Sequence, residues 1–213
     1  MMWDLDLPAA ARAILIYAHL LAFAAAVAAI AFGDFAIFAG QRVNTALLKQ
    51  SARIVSLALA ALWMTGLGII WLDTRFALDA IAGKPKLLAK LAVVSLLSLN
   101  GVLLHRLALP RITRSRSGAA RAAALTVVLG GVSAASWGYA AFLGVAGPFA
   151  PLGFSGLMGI YFATLTVAVG VAWVFVRPRL ARHAPLRGRR AGVRRVQGFL
   201  FRDRFVRWQP DPA

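Results

Sequence analysis

Five apolar runs, each long enough to cross a lipid bilayer, constrain this chain more than any other feature. They cover Ala13 to Phe32 (extending as far as Phe38), Ile54 to Leu72, Leu87 to Leu109, Ala122 to Ala146 and Leu152 to Val176. A spanning helix needs roughly 20 apolar residues at 1.5 Å each, and every run meets that length. The runs are rich in Ala and Leu and lack the period-two alternation of a membrane β-barrel, so the expected fold is all-α. Composition agrees. The chain is 61% hydrophobic and 15% charged, whereas soluble domains average about 45–50% apolar and about 25% charged. A cleaved signal peptide wants a basic leader and a shorter apolar core. Here Asp4 and Asp6 stand against a single Arg12 before the first run, which therefore reads as a permanent helix.

The charges between the runs predict an orientation. Arg42, Lys49 and Arg53 follow the first run, and Arg111, Arg114, Arg116 and Arg121 follow the third, without an acid in either connection. From Arg177 onward the chain carries eleven Arg. With five spans these three segments share one side. The other side receives the acidic N-terminus, a mixed second connection and the uncharged GPFAPLG turn. The Lys/Arg bias places the N-terminus outside and the C-terminus inside, in a bacterial-type inner (cytoplasmic) membrane. Two units follow: a five-helix transmembrane domain over 1–176 and an Arg-rich cytoplasmic tail over 177–213. The net charge of +17 then reads as topology signal and attraction to anionic lipid. No nucleic-acid motif accompanies it, so nucleic acid is not an expected partner. The tail interleaves aromatic residues with Arg and fits a headgroup layer or a membrane-protein partner. With no cysteine in the chain, disulfides, thiolate metal sites and covalent haem attachment are excluded.

Helices in lipid associate through close packing and polar contacts. On the fifth run Gly156, Gly159, Ala163, Thr166 and Gly170 fall on one face, and this strip is expected to meet another helix. Ionisable groups within spans are functional candidates, because burying them in hydrocarbon is costly. Four qualify: His19, Asp34, Lys90 and His105. On the third run Lys90, Val94, Ser98, Gly101 and His105 form a stripe expected to point into the bundle, with Asn100 to one side. Each candidate has a plainer role: Lys90 can snorkel to the surface, His105 adjoins Arg106 at an interface, and Asp34 can pair with Arg42 or sit among headgroups. His19 lies deep among Leu15, Ala22 and Phe23. Neutral imidazole is the usual axial ligand of haem b, which makes His19 the candidate metal ligand. Its plainer role is a helix–helix hydrogen bond. His19 and His105 differ in depth by about 18 Å at 1.5 Å per residue, too far to share one iron. There is no HExxH, Gly-rich phosphate loop or GxSxG, and carboxylates are too few for a Ca²⁺ site or a hydrolytic pair.

His19 in YAHLLAF, Lys90 in LLAKLAVV and the stretch WMTGLGIIWL from Trp63 to Leu72 resemble the small bacterial membrane proteins related to copper-resistance protein D and the bacterial membrane protoporphyrinogen oxidases. The likeness covers Tyr17 to Pro110. It implies haem b held by the first-helix histidine, with electrons removed from a porphyrin-type substrate. The oxidases carry a further histidine near where this chain has Asn100 and Gly101. Three functions follow as expectations. One is a haem- or metal-handling membrane protein, with His19 as ligand and Lys90, with His105, as further cofactor-binding candidates. The second is a non-enzymatic accessory or assembly subunit docking through its tail. The third is a small transporter, which would show broken helices at the midplane.

Overall fold

A computed structural model describes residues 6–38, 44–108 and 119–182. Among these, all regular structure is helical. Helix α1 spans Leu7–Phe38 and starts nearly two turns before the apolar run, because Asp6 caps it by accepting a hydrogen bond from the Ala9 N–H at 3.2 Å. Asn44 does the same for α2 (Thr45–Thr74), accepting from the Leu47 N–H at 3.1 Å. The polar residues Lys49, Ser51 and Arg53, expected in a connection, therefore belong to α2. A short α3 (Leu78–Ala82) leads into α4 (Pro85–Leu103), which continues as a π-helical turn over Leu104–Ala108. Helix α5 covers Ala119–Val145, and a 3-10 turn at Ala150–Leu152 leads to α6 (Gly153–Arg182). Gly153 adopts φ 68°, a conformation that costs other residues steric strain.

Five of these helices are long and apolar enough to cross a membrane. Their antiparallel order brings the start of α1, the end of α2, the start of α4 and the end of α5 to one end of the bundle. Two contacts fix that end: an exposed ion pair from Arg12 Nε to Asp73 at 2.9 Å, and a long contact from Lys86 Nζ to the Gly144 carbonyl at 3.5 Å. Arginine also stacks on tryptophan one turn earlier at the C-terminus of two helices. Arg75 lies 4.4 Å over Trp71 where α2 ends, and Arg177 lies 4.3 Å over Trp173 near the end of α6. Those termini lie at opposite ends of the bundle, and aromatic residues with basic neighbours concentrate at membrane–water interfaces. The two stacks bracket the apolar slab.

The helices form two groups. Helices α1 and α2 make a tight hairpin, in which a Cβ added at Gly68 would lie 3.1 Å from Leu15 Cδ1. Helices α4, α5 and α6 enclose a core of Ala89, Val93, Tyr139, Leu143, Ala146, Leu157 and Tyr161. Side chains join the groups at mid-height. Ala26, Ala58, Leu62, Leu97 and Trp137 cluster there, the Phe23 and Trp137 rings lie 5.9 Å apart, and Trp63 Nε1–H donates to Ser98 Oγ at 3.0 Å.

The small-residue strip of the last span behaves differently from its expectation. Gly159, Ala163, Thr166 and Gly170 are exposed, and a Cβ added at Gly159 or Gly170 would meet nothing within 4 Å. The close approach lies on another face of α6, where a Cβ at Gly131 of α5 would be 3.0 Å from Val169 Cα. Tyr139 and Tyr161, wedged between α5 and α6 with ring centroids 5.3 Å apart, set which face of α6 turns inward. Helix α6 also continues as far as Arg182, past the expected start of the tail at Arg177. The tail from 183 to 213 lies outside the described residues.

Candidate functional site

His19 projects from α1 against α2, half-buried, with Nδ1 2.8 Å from Thr65 Oγ1. Which atom donates depends on the His19 tautomer. Thr65 has one hydroxyl hydrogen, and Oγ1 lies 2.7 Å from the Ala61 carbonyl of its own helix, a distance suited to that hydrogen between them. This assigns Thr65 as acceptor and the imidazole proton to Nδ1. In that tautomer Nε2 keeps its lone pair. The ring lies against Gly66, where an added Cβ would stand 3.6 Å from His19 Cε1, an ordinary contact. The local sequence makes this fit. Thr65 supplies a hydroxyl one helical turn after the carbonyl it bonds, and Gly66 leaves a flat backbone surface for the ring.

Lys90 lies on α4, about two turns before the Ser98 hydroxyl that accepts from Trp63 of α2. Its side chain is exposed, whereas its neighbour Ala89 is fully buried in the α4–α5–α6 core. No carboxylate pairs with Lys90 among the described residues; the ion pair described there is Arg12–Asp73. The candidate site is thus the His19–Thr65 pair of the α1–α2 hairpin, with Lys90 on α4.

The stripe expected on α4 divides. Ser98 faces inward, accepts from Trp63 and donates to the Val94 carbonyl at 2.7 Å. Lys90 and His105 are exposed, and the buried polar residue is Asn100, whose Nδ2–H donates to the Leu129 carbonyl of α5 at 3.0 Å. His105 sits in the π turn with Nδ1 3.0 Å from the Gly101 carbonyl of its own helix. Fifteen residues along α4, or about 22 Å, separate it from Lys90. The structure does not bring His105 to the His19 cluster. Asp34 is exposed near the end of α1, and its expected partner Arg42 lies outside the described residues. Sequence reasoning passed over Thr65, which stands as an isolated hydroxyl inside WMTGLG. It also passed over the two tyrosines of the α5–α6 seam, where Tyr161 bonds Ser136 at 2.9 Å and Tyr139 donates to the Leu157 carbonyl.

The described residues contain no group of three or more His, Cys, Asp or Glu able to hold a metal ion. Two open apolar grooves run along α6, one lined by residues such as Ala163 and Val167, the other between α5 and α6 and lined by residues such as Val132 and Trp173; neither includes His19 or Lys90. Compared with known families, curated proteins and solved structures, the chain matches none. The five spans define its class: it is a multi-pass membrane protein.

Proposed function

We propose that this membrane protein binds an anionic, iron-ligating cofactor of the haem b type through His19, with Lys90 as counter-charge. The observation that carries the reading is the His19 Nδ1–Thr65 Oγ1 hydrogen bond; with Nδ1 as donor, Nε2 is left as the acceptor nitrogen. A histidine ligand usually donates its other ring N–H to an oxygen, which orients the ring and raises its basicity. Thr65 supplies that oxygen here. The donor set fits haem with one protein ligand: Nε2 for the iron and Lys90 for a carboxylate such as a propionate. It does not fit a bare metal ion, which would need further ligands. Haem would supply one-electron chemistry, while the chain's own residues fix the imidazole and balance charge in a low-dielectric setting.

The test is the absorbance spectrum of protein purified in detergent and supplied with haem. A Soret band shifted from that of free haem, and lost in His19→Ala but kept in His105→Ala, supports the reading. A spectrum equal to free haem in all three proteins refutes it. In that case the second reading takes over: a non-enzymatic accessory bundle in which His19–Thr65 is a helix–helix tie. It is favoured by the observation that no buried side-chain nitrogen or oxygen among the described residues lacks a partner. We further propose an N-terminus-out, C-terminus-in orientation in a bacterial-type inner membrane, with the Arg-rich tail on anionic lipid or a partner, from the Lys/Arg asymmetry. Reporter fusions after Pro148 and at the C-terminus should report opposite sides; the same side for both would contradict it. A small transporter is the weakest of the three readings, because the five spans run unbroken apart from the π turn at the end of α4.

A further inference from the structure

Between α2 and α4 the chain makes a turn with two consecutive non-glycine residues at positive φ, Arg75 at 51° and Phe76 at 58°. Bulky residues avoid this region, and a structure that holds them there over-determines the local conformation. Local contacts do so. The Arg75 N–H donates to the Trp71 carbonyl at 2.9 Å, its guanidinium stacks on the Trp71 ring, and the Phe76 N–H reaches Thr74 Oγ1 at 3.3 Å. The result is an outward display of large apolar side chains: Phe76 is 48% exposed and Leu78, opening α3, is 82% exposed. Helix α3 has no buried residue at all. Cations flank this display, with Arg75 on one side and Lys84 on the other, both exposed. Asp79 is the acid within the turn, while Asp73 just before it is already taken by Arg12.

We infer that the segment from Arg75 to Lys84 is an interfacial anchor that lies on the bilayer, its Phe76 and Leu78 at the headgroup–acyl boundary and its Arg75 and Lys84 on lipid phosphates. Three features select a lipid surface as occupant. The turn follows directly on Trp71, whose stack with Arg75 marks one edge of the apolar slab, so Phe76 and Leu78 start at headgroup depth. Apolar groups beside cations match an anionic headgroup layer, where each basic residue adds attraction and the apolar groups add burial. Phe76 and Leu78 also have no core of their own to join, since α3 buries nothing. This surface is separate from the His19 site and does not depend on it.

The absence of cysteine from the whole chain makes a clean test available. Leu78→Cys places a single thiol on an exposed side chain, where an environment-sensitive fluorophore can be attached without disturbing packing. The full-length labelled protein is reconstituted into phosphatidylcholine vesicles and into vesicles containing phosphatidylglycerol. The proposal expects blue-shifted emission and weak quenching by aqueous iodide, both more pronounced with phosphatidylglycerol. Adding Arg75→Gln and Lys84→Gln should remove the difference between the two lipids. Water-like emission with strong iodide quenching in both membranes would overturn the proposal and leave the turn as a surface for a soluble partner. Shielding that ignores both lipid charge and the double substitution would overturn its electrostatic half.

Discussion

The two helical seams of this bundle solve the same problem in opposite ways. Between α5 and α6 the polar atoms close on one another: Tyr161 donates to Ser136, Ser136 donates to the Val132 carbonyl at 2.7 Å, and Tyr139 donates to the Leu157 carbonyl. Tyr161, Leu143 and Leu157 are essentially inaccessible there. Between α1 and α2, side chains of α1 rest on Gly66 and Gly68, and the polar contact is the single His19–Thr65 pair. His19 donates through Nδ1 and retains an acceptor at Nε2. Lipid tails offer no hydrogen bonds, so a seam built for stability closes every polar group, whereas the proposed haem would use the second nitrogen of His19.

The largest expected effect breaks the closed seam sterically. A Cβ at Gly131 would press on the backbone of Val169 at 3.0 Å, and backbone cannot rotate away as a side chain can. Gly131→Leu should destabilise the bundle by about 1–3 kcal/mol, the usual range for overpacking, read as a lower melting temperature in detergent. Gly130→Ala is the control, because a Cβ there meets nothing within 4 Å. A Gly131 variant melting with the control would show that α5 and α6 are not in contact where described.

Next in size are the hydrogen bonds. Tyr161→Phe removes the donor to Ser136 and should cost about 0.6–2 kcal/mol, typical of interhelical hydrogen bonds in membranes. Thr65→Val should cost a similar amount on ligand-free protein, because it strands the His19 Nδ1–H. The contrast lies in the ligand-loaded state. Thr65→Val should also weaken haem binding, on the order of 10-fold for a lost oxygen that orients a histidine ligand, while Tyr161→Phe should leave haem binding unchanged. Equal effects of the two substitutions on haem titration would erase the distinction between the seams.

The smallest expected effect is at Gly159. Read from sequence, the strip through Gly159 and Gly170 looks like a packing face, and Gly159→Leu looks disruptive. In the structure that face is open, so the substitution should leave the stability of the monomeric chain within about 0.5 kcal/mol of the parent, read as a nearly unchanged melting temperature. A clear loss of stability would restore the strip as an interface.

The strip shows where sequence stopped being informative. Five spans were legible because run length against bilayer thickness is a one-dimensional criterion. Helix starts were legible in retrospect, since Asp6 and Asn44 are ordinary capping residues standing before α1 and α2. Which face turns inward was not, because α6 is apolar all round and its orientation is decided by Tyr139 and Tyr161 on and against a different helix. The same holds for the site. His19 and Lys90 stood out as ionisable groups in apolar runs; the structure gives the first Thr65 as partner and the second no ion pair among the described residues. His105 stood out by the same criterion and lies elsewhere, since residue type reveals cost but not neighbours. Thr65 was invisible because a threonine within a span usually bonds its own helix; only the opposed position of α1 gives its second lone pair a partner.

The open imidazole is the claim on which the rest depends, and it can be measured without any cofactor. Nitrogen-15 NMR of ligand-free protein labelled at histidine, with the His19 signals assigned by their loss in His19→Gln, reports which ring nitrogen bears the proton. The account predicts a protonated Nδ1 and an unprotonated Nε2 at neutral pH, and a change in that pattern in Thr65→Val. A proton on Nε2, with Nδ1 bare and Thr65 donating to it, would contradict the account, because Nε2 would then have no lone pair to offer.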